Sequence, residues 1–285
     1  METAPECVPC YIGQMLRSAK IVTNERTVLN DILKSSMKEL TDLDWNFSIH
    51  EHFSKIYQNI PRFTGIEDPY AKVKELHNKK AFLLYPLLLK AIKRSKVPLM
   101  TAIRFSVAGN IIDLGALNNV DVNYVLKIAK KGRFKVNDIA VLREMLGKSR
   151  SVILVADNSG EIVFDLLLLK TLSKIMKDAK ISIIVKKRPI LNDVTISDVP
   201  KRFFEELKNL ELSALDISSS SEVLQFKEHL NFRVKKGDII LSKGQGNFEL
   251  LDDLKGIFFL LIVKCPVVAK YLNVNVGDFI LKYNR

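Results

Sequence analysis

The sequence predicts an α/β protein with a mostly parallel sheet, preceded by an all-helical N-terminal domain, and two observations predict this. Up to about residue 148, apolar residues recur at three- and four-residue spacing, as they do on the buried face of a helix. After Ser149, short β-branched or apolar runs alternate with helix-like segments, which is the pattern of βαβ units. We therefore expect a helical domain over residues 1–148 and an α/β domain over residues 149–285.

In the N-terminal region, apolar spacing and helix-start signals predict several helices. Asp68-Pro69 is such a signal, and Pro86 should end or kink the helix that follows it. The lysine-rich end before Gly132 is typical of a helix C-terminus. The helix-like segments are "CYIGQMLRSAKIV", "ERTVLNDILKSSMKEL", "DPYAKVKELHNKKAFLLYPLLLKAIKRSK", "PLMTAIRFSVAGNIIDLGAL" and "NYVLKIAKKG".

In the C-terminal region, five short apolar runs predict strands. They are "SVILVAD", "ISIIVKK", "LELSALDIS", "DIILSKG" and "GIFFLLIVKC". Because ligands bind beyond the carboxyl ends of the strands in such sheets, the polar residues after these runs should gather along one edge. Those residues are Asp157, Asn192, Asp193, the segment 243–247 and Lys264.

The net charge of the chain and the length of its apolar runs indicate which kinds of partner to expect. The chain carries 44 Lys and Arg against 32 Asp and Glu, a formal net charge of +12 that favours anionic partners. The basic residues recur in short groups between apolar segments, as on solvated faces and loops. The longest apolar runs fall short of the roughly 18 to 20 residues that a membrane span needs. The first residues lack a signal-peptide pattern, so we expect a cytoplasmic protein without a membrane partner.

Three cysteines, Cys7, Cys10 and Cys265, argue against a disulfide scaffold and fit a reducing compartment. Cys7 and Cys10 have the spacing of a metal or redox pair, but no second pair or His-x-x-x-His motif completes a four-ligand zinc site. Two thiols at the start of a helix are the alternative. The histidines lack ligand spacing and are interpreted as surface or packing residues: His50, His52, His77 and His229.

At the end of the first predicted strand, Asp157 and Asn158 leave the core just before residues 159–161 open a helix. Helix-opening N–H groups form an anion site, and a carboxylate beside a bound anion requires a cation between them. Carboxylate and amide oxygens bind hard divalent metals, and Mg²⁺ typically takes one or two carboxylates plus substrate phosphate. A helix cap is the alternative. One cap explains one polar residue, whereas this stretch has four: Asp157, Asn158, Glu161 and Asp165.

Three later elements should meet the same edge. Asp193 follows Asp157 by one helix and one strand, and an Asn-Asp turn is its alternative interpretation. In "LSKGQGNFELL", two glycines allow the backbone to approach a ligand closely, and Lys243 and Asn247 can contact anionic or hydroxyl oxygens. This segment lacks the P-loop pattern. Lys264 ends the run "GIFFLLIV", and a lysine extending its charge to solvent at a strand end is the alternative there.

Five motifs occur in order along the chain: "RFSVAGNIID", "ADNSGEIVFD", "LNDVT", "KGQGNFE" and "LIVKCPVVA". Together they resemble the damage-control phosphatase family, formerly a domain of unknown function and described in one branch as a protein-glutamate carboxyl methyltransferase. The segment "CVPCYIGQ" resembles its cysteine-containing, mainly prokaryotic branch. The resemblance covers nearly the whole chain and implies a Rossmann-like αβα sandwich with an N-terminal helical domain. It also implies a divalent-metal-dependent phosphatase of small phosphometabolites, such as sugar phosphates or damaged cofactor precursors.

By motif match, the resemblance implies that Asp157, Asn158 and Asp193 are catalytic residues that bind the metal, which would be Mg, Mn, Co or Ni. It places Asn110 near the substrate and Lys264 near its phosphate. Because Asn110 and the nearby Asp113 are three residues apart, they share a helix face, and we expect this helix to close the active site. The remaining motif residues with an expected substrate or phosphate role are Asp113, Glu161, Lys243 and Asn247.

Two other functions remain as alternatives. The first is S-adenosylmethionine-dependent methyl transfer to carboxylates. Against it, the sequence has no evident glycine-rich loop with a strand-end acidic residue to hold the ribose, and this reaction does not require a hard metal ion. Nucleic-acid binding rests on the charge of +12 alone and lacks a recognition motif, so we expect a small phosphorylated metabolite as the partner. Either water or an aspartate attacks phosphorus in a phosphatase of this kind, and we favour water with Asp157 as a ligand.

Overall fold

A computed structural model describes residues 1–46, 48–109 and 132–285. The N-terminal region is helical over most of its described length, as the apolar spacing predicts. Its helices are α1 (Cys7–Val22), α2 (Arg26–Thr41), α3 (Ile49–Tyr57), α4 (Asn59–Thr64), α5 (Ala71–Arg94) and α6 (Pro98–Ala108).

The C-terminal region alternates strands and helices. The strands are β1 (Phe134–Asn137), β2 (Ser151–Val155), β3 (Lys180–Lys186), β4 (Leu210–Leu215), β5 (Ile239–Lys243), β6 (Ile257–Ile262) and β7 (Phe279–Tyr283). The helices between them are α7 (Ile139–Leu146), α8 (Glu161–Ile175), α9 (Arg202–Glu206), α10 (Ser220–Lys235), α11 (Gln245–Leu251) and α12 (Pro266–Leu272).

The strands form one sheet in the order β1-β7-β6-β5-β2-β3-β4. Neighbouring strands are parallel except β6 and β7, which are antiparallel. The strand order reverses between β2 and β5, so this pair is the topological switch point, where ligands bind in open α/β sheets. Asp157 follows β2 and Gly244 follows β5, so both lie at this point.

Helices cover both faces of the sheet. Along β2, Val152 and Leu154 face a core shared with α5, α6 and α8, whereas Ile153 and Val155 face a core shared with α10, α11 and α12. This alternation follows from the two-residue period of a strand, and burial of both faces explains why the strand sequences are continuously apolar. The predicted αβα sandwich with a mostly parallel sheet is confirmed.

The first four helices form a third apolar cluster at one edge of the sheet. Met15 of α1, Ile32 of α2, Phe53 of α3 and Ile60 of α4 are buried together with Ile190, which lies in the loop after β3. The N-terminal helices therefore pack on a loop at the carboxyl end of the sheet, which is where the sequence places the polar residues.

Two details differ from the sequence-based expectation. Strands β1 and β7 were not predicted, and β1 lies on the N-terminal side of the expected domain boundary at residue 148, which itself stays a prediction. Pro86 does not end its helix, since α5 continues to Arg94, whereas a kink at this proline stays a prediction. Leu84 and Leu88, on either side of the proline, are both buried in the core, so packing holds the two halves of the helix in place. In the described parts of the chain, no helix is long and apolar enough to cross a membrane.

Candidate active site

The segments after β2 and β3 lie side by side at the switch point. The Val194 N–H donates a hydrogen bond to the Asp157 carbonyl (2.9 Å), and an antiparallel bridge joins Asn158 to Asp193. The loop after β3 thus returns beside the end of β2. As a result, neighbouring stretches of backbone carry Asp157 and Asp193.

A cavity of about 440 Å³ opens beside these segments. Six of the candidate site residues from the sequence line it: Asp157, Asn158, Asp193, Lys264, Cys7 and Cys10. Asn192 and Gln245, which the sequence places at the same edge of the sheet, line it as well. The cavity is also lined by residues that sequence reasoning gave no site role, among them Tyr11, Gln14, His50, Glu249 and Cys265.

Asp193 is a buried carboxylate with an unsatisfied oxygen. Within the described residues, its Oδ2 atom has no hydrogen-bond partner. Burial, and after it the nearby charge of Asp157, raise the pKa of Asp193 to about 7. Asp157 is also buried, and its Oδ2 accepts a hydrogen bond from the Asn158 side chain at 2.6 Å. Two buried carboxylates in one site repel each other unless a cation compensates their charge.

The donor set fits a hard divalent metal ion. The carboxylates of Asp157 and Asp193 and the side-chain oxygen of Asn158 are the types of oxygen that Mg²⁺ and similar ions bind. Across residues 1–46, 48–109 and 132–285, no group of three His, Cys, Asp or Glu side chains is arranged to hold a metal ion. Two carboxylates with an amide match an ion that takes its other ligands from substrate and water. These residues therefore suit the expected metal, whose presence stays a prediction.

Lys186, at the end of β3, supplies a positive charge behind this site. It is buried, and its Nζ donates to Oδ1 of Asn247 at 2.6 Å. Burial lowers its pKa, while Asp193 and Asp157 act in the opposite direction. The Asn247 amide nitrogen donates to the carbonyls of Ala156 (2.9 Å) and Lys243 (2.8 Å), which ties the ends of β2 and β5 together. This geometry favours a supporting role for Asn247 over the expected substrate contact.

Lys243 lies in a buried ion cluster. Its Nζ contacts Oε1 of Glu161 (2.5 Å), Oδ1 of Asp165 (2.8 Å) and the Ser106 carbonyl (3.1 Å). Burial alone would lower the pKa of Lys243, but the two carboxylates outweigh it and raise the pKa. The ammonium is therefore already compensated. The expected phosphate contacts of Lys243 and Glu161 stay predictions, whereas the geometry favours a role in fixing helices α6 and α8 against β5.

The backbone amides at the start of α8 differ from the expectation that they bind the anion. The Ser159 N–H donates to the Asn192 carbonyl (2.9 Å), the Gly160 N–H to Oδ1 of Asn78 (2.7 Å), and the Ile162 N–H to the Asn158 carbonyl (3.1 Å). The protein itself satisfies these donors. These three N–H groups are therefore not free for a phosphate oxygen.

Lys264 is the exposed cation on the cavity wall that suits this task. Its backbone N–H donates to Oε1 of Gln245 at 2.8 Å, which fixes the loop after β6. Its charge also acts on Asp193, whose pKa it lowers slightly against the larger effect of burial. The side chain can therefore meet an anion placed beside the two carboxylates.

One face of α1 closes the other side of the cavity. Cys7, Cys10, Tyr11 and Gln14 all line it, and their spacing of three and four residues places them on one helix face. Burial is the main cause that raises the pKa of the Cys7 thiol. Cys265 lines the same cavity. The metal or redox role expected of Cys7 and Cys10 stays a prediction.

Helix α5 supports the loop that carries Asp193 from the side, which sequence reasoning missed. Lys74 is fully buried, and its Nζ pairs with Asp198 (2.6 Å) and reaches the Asp193 carbonyl (3.4 Å). Asn78, one turn later, donates to the Asp198 carbonyl (2.9 Å) and accepts from Gly160. The available signal was two polar residues at i and i+4 on a helix whose other buried positions are mostly apolar.

His50 is also part of the cavity wall. Burial, and next the charge of Lys186, lower its pKa to about 3, so its ring is neutral at physiological pH. Within the described residues its Nε2 has no hydrogen-bond partner. A β-carbon at Gly246 would meet this ring, so the second glycine of "KGQGN" makes room for His50. The sequence context of His50 gave no reason to select it.

Asn110 and Asp113, expected to contact the substrate, lie outside the described residues. At Gly109, the described residue before them, a β-carbon would lie 3.1 Å from the Phe164 ring and 3.3 Å from the Glu161 backbone. The absence of a side chain thus allows α6 to end in close contact with the first turn of α8. The predicted contact of Asn110 with substrate stays a prediction.

A doubly wound sheet with two buried carboxylates at its switch point is the arrangement of a small-molecule enzyme of the α/β class. The chain belongs to the damage-control phosphatase family: residues 3–280 match the model of the damage-control phosphatase ARMT1-like domain. It is 31% identical over 294 residues to a damage-control phosphatase of Archaeoglobus fulgidus, covering 99% of each chain. It is 26% identical to damage-control phosphatase PH1575 of Pyrococcus horikoshii, covering 100% of this chain and 99% of the relative. The family resemblance seen in the sequence is confirmed, and these relatives support a phosphatase role.

A solved structure of this family has the same fold. The crystal structure of the DUF89 family protein PH1575 from Pyrococcus horikoshii matches this chain with a TM-score of 0.86 at 26% identity, and each chain is covered over 100% of its length.

Proposed function

We propose that the protein is a divalent-metal-dependent phosphatase that hydrolyses small phosphorylated metabolites. The observation that carries this proposal is the pair of buried carboxylates, Asp157 and Asp193, beside Asn158 in one cavity. A bound phosphate ester would face this negative charge directly unless a cation lay between them. Family membership supports the phosphatase part, and the oxygen donors support the metal.

We assign each residue a role from its position in the cavity. Asp157, Asn158 and Asp193 hold the metal, and when bound it neutralises charge on the phosphoryl group and acts as a Lewis acid. Lys264 contacts a phosphate oxygen through its exposed ammonium. Hydrogen bonds from Asn158 and from the Val194 backbone fix the position of Asp157 before substrate arrives, and such preorganisation is how a charged site accelerates a reaction.

The size of the cavity supports a small substrate. About 440 Å³ lies at the lower end of the range of roughly 300 to 1,000 Å³ that is typical of small-molecule pockets. Helix α1 and the loop after β6 form its walls, so the cavity suits a metabolite-sized phosphate ester better than a phosphorylated protein segment. Sugar phosphates and damaged phosphorylated metabolites are the substrate classes that we propose.

The experiment measures phosphate release from a panel of phosphorylated metabolites and from p-nitrophenyl phosphate, with Mg²⁺, Mn²⁺, Co²⁺ or Ni²⁺. We expect activity that chelation removes and metal restores. Asp157→Ala and Asp193→Ala should each abolish it, whereas Asp31→Ala, an exposed aspartate on α2, is the matched control. Melting temperature gives a second readout, because an ion that binds only the folded state raises it.

Phosphate release that survives thorough chelation would overturn the metal assignment. No phosphate release with any metal and any substrate of the panel would overturn the phosphatase assignment itself.

A further inference from the structure

Glu249 is a buried carboxylate in the active-site cavity to which the metal site gives no role. It lies on α11, one turn after Gln245, and both residues line the cavity that contains Asp157. Only 7% of its surface is exposed. Tyr11 of α1 lines the same cavity, and after burial the charge of Glu249 is the largest cause that raises the pKa of Tyr11.

The surroundings of Glu249 favour its protonated form. Its Oε1 accepts a hydrogen bond from Nε2 of Gln245 at 2.9 Å, which lowers the pKa of Glu249, as does the charge of the N-terminal amine, but burial outweighs both. In the described part of the chain, no salt bridge involves Glu249, whereas the buried carboxylates of Glu161 and Asp165 both pair with Lys243. Burial is the main cause that raises the pKa of Glu249 to about 7. A carboxyl group of this kind carries a proton in a large fraction of molecules at neutral pH.

Hydrolysis of an alkyl phosphate needs such a group. When the bond from phosphorus to the ester oxygen breaks, the leaving alkoxide is a strong base and requires a proton in the transition state. In the proposed function, Asp157 and Asp193 bind the metal and Lys264 binds phosphate, so another residue must supply this proton. Gln245 holds both Glu249 and the Lys264 backbone N–H, so it fixes the carboxyl group relative to the loop that carries the phosphate-binding lysine.

We propose that Glu249 is the general acid that protonates the leaving oxygen of the substrate, an inference that rests on the proposed phosphatase function. The bond between phosphorus and the ester oxygen breaks while a bond from water oxygen to phosphorus forms. The Glu249 proton passes to the ester oxygen, which leaves as an alcohol. A proton released by the attacking water returns to the carboxylate, so the enzyme ends each cycle unchanged.

The test compares two leaving groups in Glu249→Gln and wild type. An alkyl phosphate, glycerol phosphate, needs the proton, whereas p-nitrophenyl phosphate has a stable leaving anion that does not. We expect kcat for glycerol phosphate to fall by about 10²-fold or more, the usual contribution of general acid catalysis. The value for p-nitrophenyl phosphate should stay close to wild type. Glu144→Gln, an exposed glutamate on α7, is the matched control for both substrates.

The pH profile gives an independent readout. For wild type, kcat on glycerol phosphate should fall as pH rises through about 7, because the acid loses its proton. Glu249→Gln should lack this limb. Five charged or titratable groups interact electrostatically with Glu249. They are Asp157, Asp252, the N-terminal amine, Cys7 and Tyr11.

Equal losses on both substrates, or no loss on either, would overturn the proposal while leaving the phosphatase function intact. A wild-type protein without phosphate release from either substrate would instead refute the function on which it rests. If Glu249→Gln fails to fold, Glu249→Asp serves in its place, since it keeps the acid but withdraws it by one methylene. It should then lower kcat selectively for glycerol phosphate.

Discussion

Gly244 and Asp157 are in direct contact at the switch point of the sheet: a β-carbon at Gly244 would collide with the Asp157 carboxylate. Gly244 also has φ of +79°, a backbone conformation that L-residues avoid. The glycine therefore serves two purposes. It turns the chain from β5 into α11, and it leaves space for a carboxylate that we propose binds the metal.

Gly244→Ala should reduce phosphate release by about 10²-fold, because displacement of a reactive group by about 1 Å can have an effect of this size. It should also destabilise the fold by about 1 to 3 kcal/mol, because φ of 79° with ψ of 164° lies in a region that is essentially restricted to glycine. Turnover and urea denaturation measure the two effects separately.

Gly237→Ala is the matched control for this substitution. Gly237 has φ of +83°, but nothing lies within 4 Å of the position that its β-carbon would take. It should therefore lose stability through backbone strain alone and retain normal turnover. Equal turnover in the two variants would show that the contact with Asp157 is unimportant for catalysis.

The sequence predicted five of the seven described strands, β2 to β6, because each one carries a cluster of apolar residues. Strands β2 and β6 are buried along their whole length, and all of their residues except Ser151 are apolar. Strand β1 has four residues with alternating partial and full exposure, and two of them, Lys135 and Asn137, are polar. So short a strand carries no apolar run. Strand β7 was also missed, although its first three residues are buried.

For the candidate site, the sequence identified buried polar residues at strand ends better than buried polar residues on helices. Asp157 and Asp193 stand out because a polar residue soon after a buried strand has few structural explanations. Glu249 and Lys74 lie within helices, where a charged residue is ordinarily assumed to face solvent. Only the folded structure shows that both are buried.

Lys243 offers a test of whether a predicted phosphate ligand is a structural residue. Lys243→Met would leave the buried carboxylates of Glu161 and Asp165 without their cation. We expect a loss of about 3 to 5 kcal/mol in the free energy of unfolding, as when one partner of a buried ion pair is removed. Urea denaturation followed by circular dichroism measures it.

Lys148→Met is the control, since Lys148 pairs with Glu144 on the surface, where both side chains are largely exposed. Its stability should equal that of wild type. If Lys243→Met is as stable as wild type but binds substrate poorly, the lysine contacts phosphate as the family resemblance implies, and the structural role that we infer for it is wrong.

Lys264 should act on substrate and not on folding. Its side chain is exposed on the cavity wall, and the hydrogen bond to Gln245 comes from its backbone, so Lys264→Ala retains that bond. Loss of a charge-assisted hydrogen bond of roughly 1.5 to 3 kcal/mol should raise KM or lower kcat by about tenfold or more. Melting temperature should hardly change. Lys270→Ala, an exposed lysine on α12, should match wild type in both measurements. A lower melting temperature with unchanged kinetics would mean that Lys264 only terminates its strand.

Cys10 should be the thiol that reports on occupancy of the cavity. It is exposed and lines the cavity, whereas Cys7 is partly buried and burial raises its thiol pKa, so that fewer molecules carry the reactive thiolate. Iodoacetamide should therefore modify Cys10 faster than Cys7, as measured by mass spectrometry of peptides over time. Inorganic phosphate with Mn²⁺ should slow the reaction at Cys10, because both fill the space beside it.

Zn²⁺ alone should slow both reactions if the Cys-x-x-Cys pair binds metal as its spacing predicts. Equal rates at the two cysteines, with no protection by phosphate and Mn²⁺, would show that the thiols do not face the ligand-binding space.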